Sequence, residues 1–528
     1  MNILKHISSW IKENWIYIVI FCLLFSLRVC AINNKTVFFF DDPASFNVST
    51  PNNLFEDGSK IKYNWADLRF YYHQNYTVLS LKKVLFESKA DIKSIISDLV
   101  FLHNNTLDRQ HPNLYYSILR IWTAGMDYSD INAMKWRGCS LNLVFFTIAF
   151  LFMLKFLNEI KPDKKFIALG LFFAFITTGT ISNTLLIRAY PMMEASFILI
   201  LYIFLVLYKS IDKKTEISRK QLVLYSIGLS IFLLSEYYAL IFSAIIFLVL
   251  TYKCFREQYL KFLIRILAIY VSAFIIVLLF CPIYFENFET IEHLNETKKA
   301  SNIWNFIDFY RYGMYVLENL SKYVYNNMTF YILLLGLFAI GVPIFNNDKF
   351  NHKETKHFFM IFAIVALYAY LICSIAPFHE DVAVRYIIIT FSVFGLLIAY
   401  FVYHLKMPLA IITIIFMFLS SFFPVCYDIN MQNSKYKCLG MMSYFRNLNK
   451  LDLSKYEYNE QTKSLRPVVL ANRNWIWSNY IMYLRNDNIV RFEDYIPSID
   501  KEYIFKNYIL INTEDVYMVR NGKIIRWR

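Results

Sequence analysis

Apolar residues in this chain gather into long runs separated by short charged connectors. Runs lie near 15–32, 138–157, 165–181, 190–208, 221–235, 236–252, 262–283, 328–345, 358–376, 384–403 and 409–425. Most approach the ~20 residues that a helix needs to cross a bilayer. The continuous stretch 221–252 would be roughly 48 Å long as one helix, too long for a single ordinary crossing. Basic residues flank it on both sides, so it is expected to fold as a hairpin turning near Ser235-Glu236. Asn113 to Gly125 is also apolar but too short to span, and is expected to be re-entrant or interfacial. The pattern predicts an all-α polytopic bundle of eleven crossings plus this half-segment.

The connectors alternate in charge. Lys155, Lys161, Lys164 and Lys165 share one, Lys209, Lys213, Lys214, Arg219 and Lys220 the next basic one, and Lys253, Arg256, Lys261 and Arg265 a third. Connectors around Asn183, Glu236 and His379, and the segment 284–327, carry little positive charge. The positive-inside rule places the basic set in the cytoplasm and the other set outside. The first run follows Lys5 and Lys12 and resembles a signal peptide, but Arg28 interrupts it, so a retained helix with a cytoplasmic N-terminus is expected. Residues 33–112 then form a first outer loop, 284–327 a second, and 426–528 an extracytoplasmic tail after a membrane domain over 1–425. In the tail, 467–470, 488–492 and 508–512 read as strands, 474–484 as an aromatic helix, and Asn521-Gly522 as a hairpin turn, which predicts a small α/β domain.

Composition agrees. Of 528 residues 57% are hydrophobic and 18% charged, against about 25% charged in soluble domains. Gly 12, Pro 12 and Cys 8 are too few for a collagen-like, disordered or disulfide-built chain. The net charge of +14 would suggest nucleic acid in a soluble protein; here the basic residues sit in membrane connectors, and no nucleic-acid partner is expected. The cysteines form no CxxC pair, although Cys426 and Cys438 share the tail and are candidates for a local disulfide.

Several polar groups sit where an apolar chain has little use for them. Asp41 and Asp42 follow Phe38-Phe39-Phe40 just beyond the first helix. Such a pair often caps a helix or meets solvent. Adjacent carboxylates do not both ionise cheaply, so one is expected to act as a base and the other to be partly protonated or metal-paired. Asp108, Arg109 and His111 precede Pro112, Asn113, Leu114, Tyr115 and Tyr116. Pro112 suits the first turn of a helix, which would leave His111 exposed at an anion-favouring N-terminus. Arg188 and Tyr190 open one crossing and Arg385 and Tyr386 another, both on the outer side against the positive-inside trend; they call for an anionic partner such as a lipid phosphate. His379, Glu380 and Asp381 have metal-like types at a spacing that matches no established site.

In order, these residues resemble a family. Asp41-Asp42 resembles the acidic pair of GT-C glycosyltransferases of the protein O-mannosyltransferase type, which include the bacterial aminoarabinose transferases. His111-Pro112-Asn113-Leu114-Tyr115-Tyr116 is similar to their His-Pro-Pro-Leu-Tyr-Tyr motif, and Trp136-Arg137-Gly138 to the start of their next helix. Arg188-Ala189-Tyr190 resembles their Arg-x-Tyr, Ser235-Glu236-Tyr237-Tyr238 a Thr-His-Tyr-Tyr turn, and Arg385-Tyr386 a late Arg-Tyr. Asp42, Asn113 and Glu236 depart from the pattern, which has Glu, Pro and His there. The resemblance implies a GT-C fold in a bacterial inner membrane. It also implies inverting transfer of a sugar from a polyprenyl-phosphate donor to a lipid, glycan or protein acceptor on the outer face. Asp41 would be the base and Asp42 its orienting partner, with Arg109, His111, Arg188 and Arg385 at the donor phosphate. Asp108, Tyr115, Tyr190, Glu236, His379 and Tyr386 would line the pocket. No nucleotide cofactor is expected, and a divalent metal stays open. The alternatives are an O-antigen ligase or polymerase and a lipid-linked sugar flippase.

Overall fold

The structure, a computed structural model, describes residues 2–35, 38, 42–53, 63–64, 67–68, 75–105, 111–285, 306–326, 328–329, 331–332, 336, 352–375, 384–426, 458–459, 464–465, 468–471, 481–482, 484–493, 509–512, 515–520 and 523–527. It divides into two compact units: residues 1–34, 110–112 and 142–439, and residues 35–109, 113–141 and 440–528.

The first unit is a helical bundle. Across the described residues, seven helices are long and apolar enough to cross a membrane: Glu13–Asn34, Ile131–Ile160, Tyr190–Asp212, Ala239–Arg256, Leu260–Phe280, Thr355–Ser374 and Val384–His404. The chain is a multi-pass membrane protein. The expected run 165–181 is a broken pair, Lys164–Phe175 and Thr178–Leu185, bent by 57°. Thr177 causes the break by accepting a hydrogen bond from the Thr180 amide, so a new helix starts where one crossing was expected. The expected hairpin comprises the helices Arg219–Leu233 and Ala239–Arg256. The first has 15 residues, begins at a Ser218–Gln221 capping box, and is shorter than an ordinary span. Met407–Phe422 is a further short apolar stretch, and most of the run 328–345 lies outside the described residues; among the described residues seven helices, or eight with the bent pair, meet the length and polarity of a crossing, against eleven expected from the whole sequence.

Helix polarity sorts with position. Leu260–Phe280 is the most apolar span and is only 28% buried, whereas Tyr190–Asp212 and Val384–His404 are less apolar and 83% and 89% buried. Leu260, Ile264, Leu267, Val271, Ile275 and Leu278 are exposed along one side, the face that lipid covers. The two buried helices carry the polar groups instead. Close packing puts them there: Phe391–His404 lies against Lys164–Phe175 at Gly395, where a methyl group would run into the Phe173 carbonyl oxygen.

The second unit holds a six-stranded mixed sheet in the order Lys523–Trp527, Asp515–Arg520, Ile509–Asn512, Val468–Ala471, Ile489–Glu493, Asn75–Thr77. Val468–Ala471 pairs in parallel with both neighbours, and Lys523 opposes Arg520 in the terminal antiparallel pair. The strands expected in the tail are present, but the tail does not build the sheet alone. Asn75–Thr77, from the first loop, pairs antiparallel with Ile489–Arg491, so the boundary drawn at 425 separates segments that share one sheet. Lys82 reinforces the join by donating to the Leu484 carbonyl and to Asn486 Oδ1, both at 2.8 Å. Residues 472–480, most of the expected aromatic helix, and Cys438 lie outside the described residues.

Candidate active site

Five segments of the first unit bring ionisable and phenolic side chains together inside the bundle. His111 is fully buried, not exposed at a helix end as its sequence position predicts. Pro112 lies ahead of the following helix, Leu114–Trp122, whose N-cap is Asn113. The His111 Nδ1 atom lies 2.5 Å from Glu236 Oε2, and Nε2 has no hydrogen-bond partner among the described residues. Glu236 occupies the turn between two helices of the hairpin. Ser235 holds that turn by donating to the Phe232 carbonyl at 2.6 Å and lies 3.5 Å from the Ser196 hydroxyl.

The His111 ring meets the Tyr190 ring edge-on at 5.5 Å, Tyr190 meets Tyr386 at 6.2 Å, and Tyr386 meets Tyr238 at 5.3 Å. Arg385 lies over the Tyr386 ring at 5.1 Å and donates to its hydroxyl at 3.2 Å. Arg385, Tyr386, Arg188 and Glu236 all act electrostatically on Tyr190. The Tyr190 hydroxyl has no hydrogen-bond partner among the described residues. Tyr368, which sequence reading missed, contributes another buried hydroxyl within electrostatic reach of Glu236. His111, Arg188, Tyr190, Glu236, Arg385 and Tyr386 are thus one cluster, each at most 5% exposed.

Charge decides what this cluster accepts. Among the described residues this cluster holds two guanidiniums and one carboxylate. Burying an ion is costly unless it is paired, and ionisable groups inside a membrane bundle mark a functional site. An anion bearing several acceptor oxygens fits two forked guanidiniums, a ring N–H and a phenol.

The segment carrying Arg188 is braced from below. Asn142 donates to the Thr184 and Leu186 carbonyls at 3.0 and 2.7 Å, and Asn183 donates to Glu194 Oε2 at 2.7 Å. Arg28 donates to the Phe175 carbonyl at the end of the broken pair's first helix and to Thr184 of the second, with its guanidinium 3.8 Å from the Phe146 ring centroid. Composition gives no hint of this role, because an arginine in an apolar run looks like an interruption until its acceptors are known.

The acidic pair belongs to the second unit. Asp41 lies outside the described residues. Asp42 begins the helix Asp42–Ser49 and is ion-paired with Lys35 at 2.7 Å, both side chains fully buried. The expected release of like-charge strain by protonation or a metal is replaced at Asp42 by a lysine, and Lys35 gives no sequence signal beyond lying seven residues away. Lys35 and Asp42 are also within electrostatic reach of Cys139, and Lys35 of Lys135. Asn113, where the resembled motif has proline, donates to the Leu102 and Asn105 carbonyls and so ties its helix to the end of Ile92–Asn104. Tyr115 is fully buried in this unit with its ring against Tyr116. Asp108, Arg109 and His379 lie outside the described residues. No three His, Cys, Asp or Glu side chains converge as a metal group among the described residues.

No protein-family profile and no curated protein matches the chain. Among solved structures it is similar to the Archaeoglobus fulgidus oligosaccharyltransferase in its apo form, at TM-score 0.47 and 11% identity over 92% of this chain. The same enzyme tethered to an acceptor peptide containing the NVT sequon gives TM-score 0.43, again at 11% identity over 92% of this chain. The chain spans 65% and 64% of those two structures. The functional reading therefore rests on this chain's own residues.

Proposed function

We propose that this chain is an inverting membrane glycosyltransferase that moves a sugar from a polyprenyl-phosphate donor to an acceptor hydroxyl on the extracytoplasmic face. The observation that carries the reading is the buried cluster of His111, Arg188, Tyr190, Glu236, Arg385 and Tyr386, with its two guanidiniums, within an apolar bundle. A phosphate that arrives on a lipid tail reaches such a site from the membrane, which a soluble nucleotide sugar does not.

The chemistry assigns the remaining parts. Asp41 takes the acceptor proton as its oxygen attacks the anomeric carbon. The bond from that carbon to the phosphate oxygen breaks, and the phosphate keeps the electron pair. Arg188 and Arg385 stabilise the charge that develops there, in a water-poor site where fixed cations act strongly. His111 and the Tyr190 hydroxyl bind the remaining oxygens, and Glu236 holds the His111 ring. Asp42, neutralised by Lys35, lets its neighbour in sequence stay ionised without a second uncompensated carboxylate. The transferred sugar is a hexose or pentose, and the acceptor a lipid, glycan or protein; the chain needs no nucleotide cofactor.

The test uses purified protein in nanodiscs, a radiolabelled polyprenyl-phosphate sugar and candidate acceptors. Release of polyprenyl phosphate that depends on acceptor is expected, with loss in Asp41→Asn and a strong fall in Arg188→Gln and Arg385→Gln. Normal turnover in Asp41→Asn removes the base assignment. A lipid-linked sugar flippase is the second reading, favoured by the broken helix pair at Lys164–Leu185. It predicts that label crosses the bilayer while staying on its carrier.

A further inference from the structure

A cleft of about 450 Å³ opens to the surroundings in the second unit, and its lining includes none of the residues of the cluster described above. Its floor is the start of the helix Ile131–Ile160, with Trp136, Arg137 and Ser140 facing it, and its rim is the turn through Gly125 to Asp127. The turn is built for its shape. Gly125 has φ +74°, a conformation that side chains disfavour, and its amide donates to the Ser88 carbonyl at 2.6 Å. Asp127 accepts from the Ser129 amide at 2.8 Å and the Ser129 hydroxyl at 2.6 Å. These bonds hold its carboxyl below the usual carboxylate range, so it is ionised at neutral pH. Arg137 is exposed, and its guanidinium makes no ion pair or hydrogen bond among the described residues. Trp122 is pinned beside the cleft by donating from Nε1 to Ser140 Oγ at 3.0 Å.

The cleft therefore offers one unneutralised cation, one carboxylate and an indole, at the end of a helix whose body is one of the apolar spans. Tryptophans at a span's end mark the membrane–water boundary, and Trp122 and Trp136 are each 36% exposed. A ligand that carries both a phosphate and a primary ammonium matches the charges of this lining. We propose that this cleft binds the phosphoethanolamine headgroup of a membrane phospholipid, with the phosphate on Arg137, the ammonium on Asp127 and the linking carbons against Trp136. A guanidinium grips phosphate oxygens through paired N–H donors. The carboxylate accepts N–H bonds from a primary ammonium, which a trimethylammonium headgroup lacks, and it repels a phosphoglycerol headgroup that brings no cation. The site is independent of the donor reading above.

Native mass spectrometry of the full chain in detergent tests this by titration with phosphatidylethanolamine, phosphatidylglycerol and phosphatidylcholine of equal chain length. Phosphatidylethanolamine is expected to bind about tenfold more tightly than either competitor, the scale of one charge-assisted hydrogen bond. Arg137→Gln should weaken phosphatidylethanolamine and phosphatidylglycerol alike, and Asp127→Asn should erase the preference between them while sparing phosphatidylglycerol. Equal wild-type affinities, or a preference that survives Asp127→Asn, overturn the proposal. Soluble glycerophosphoethanolamine should fail to displace the lipid at matched concentration; displacement there reassigns the cleft to a soluble ligand and overturns the lipid. The wild-type ranking decides the headgroup even where a variant fails to fold.

Discussion

The Glu236 carboxylate lies 2.5 Å from His111 Nδ1, with both side chains withdrawn from solvent. A buried charge stripped of its partner costs about 3–5 kcal/mol. His111→Ala and Glu236→Ala are each expected to lower the thermal midpoint in detergent. The double variant should lose less than the sum of the two, with a coupling of about 1–3 kcal/mol. Additive losses would mean that the two side chains do not share an interaction.

Lys35 and Asp42 form a second ion pair with both side chains fully buried among the described residues. Lys35→Met removes the cation 2.7 Å from the buried Asp42 carboxylate and should destabilise the protein by about 3–5 kcal/mol. Adding Asp42→Asn should recover part of that loss, because the residue left behind is then neutral. Thermal unfolding of the three variants checks the order. If Lys35→Met alone unfolds at the wild-type temperature, the lysine is not what neutralises Asp42.

Asp91 gives a pH dependence whose direction is fixed. It caps the helix Ile92–Asn104 by accepting from the Ser94 amide at 2.8 Å, and that bond holds its carboxyl below the usual range. A depressed acid contributes stability that is present above the ordinary carboxylate value, ~3.9, and is lost as pH falls through the lower folded value. Local protection of this helix should therefore decline in acid in the wild type, and more weakly in Asp91→Asn, which caps without titrating. Parallel pH profiles for the two proteins would place the dependence elsewhere.

Crossing helices are readable from run length, since bilayer thickness sets it. Helix-leading residues such as Arg188 and Arg385 are readable because they break the expected charge pattern. The rest was hidden for specific reasons. The bend within Lys164–Leu185 comes from a Thr177 cap inside a run that is apolar throughout. Asn75–Thr77 is too short to show a strand's alternation, and its place in the sheet is set by pairing with Ile489–Arg491. Glu236 read as a departure from a motif until His111 was found beside it. Pairings between distant segments leave no local signature in either segment.

Arg28 should prove intolerant even of lysine. Its guanidinium donates from three nitrogens, to the Thr184 hydroxyl at 3.1 Å, the Leu24 carbonyl at 3.1 Å and the Phe175 carbonyl at 3.0 Å, while its plane covers Phe146. A lysine ammonium keeps the charge but lacks the flat fork that spreads over three acceptors and stacks on a ring. Arg28→Lys and Arg28→Leu should both loosen the junction at Thr177, and through Thr184 and the Asn142 bonds the segment bearing Arg188. Both variants are therefore expected to lose donor turnover and to show faster hydrogen exchange across 176–189. An Arg28→Lys protein with wild-type turnover and exchange would show that charge alone serves at this position, and that the bend holds itself.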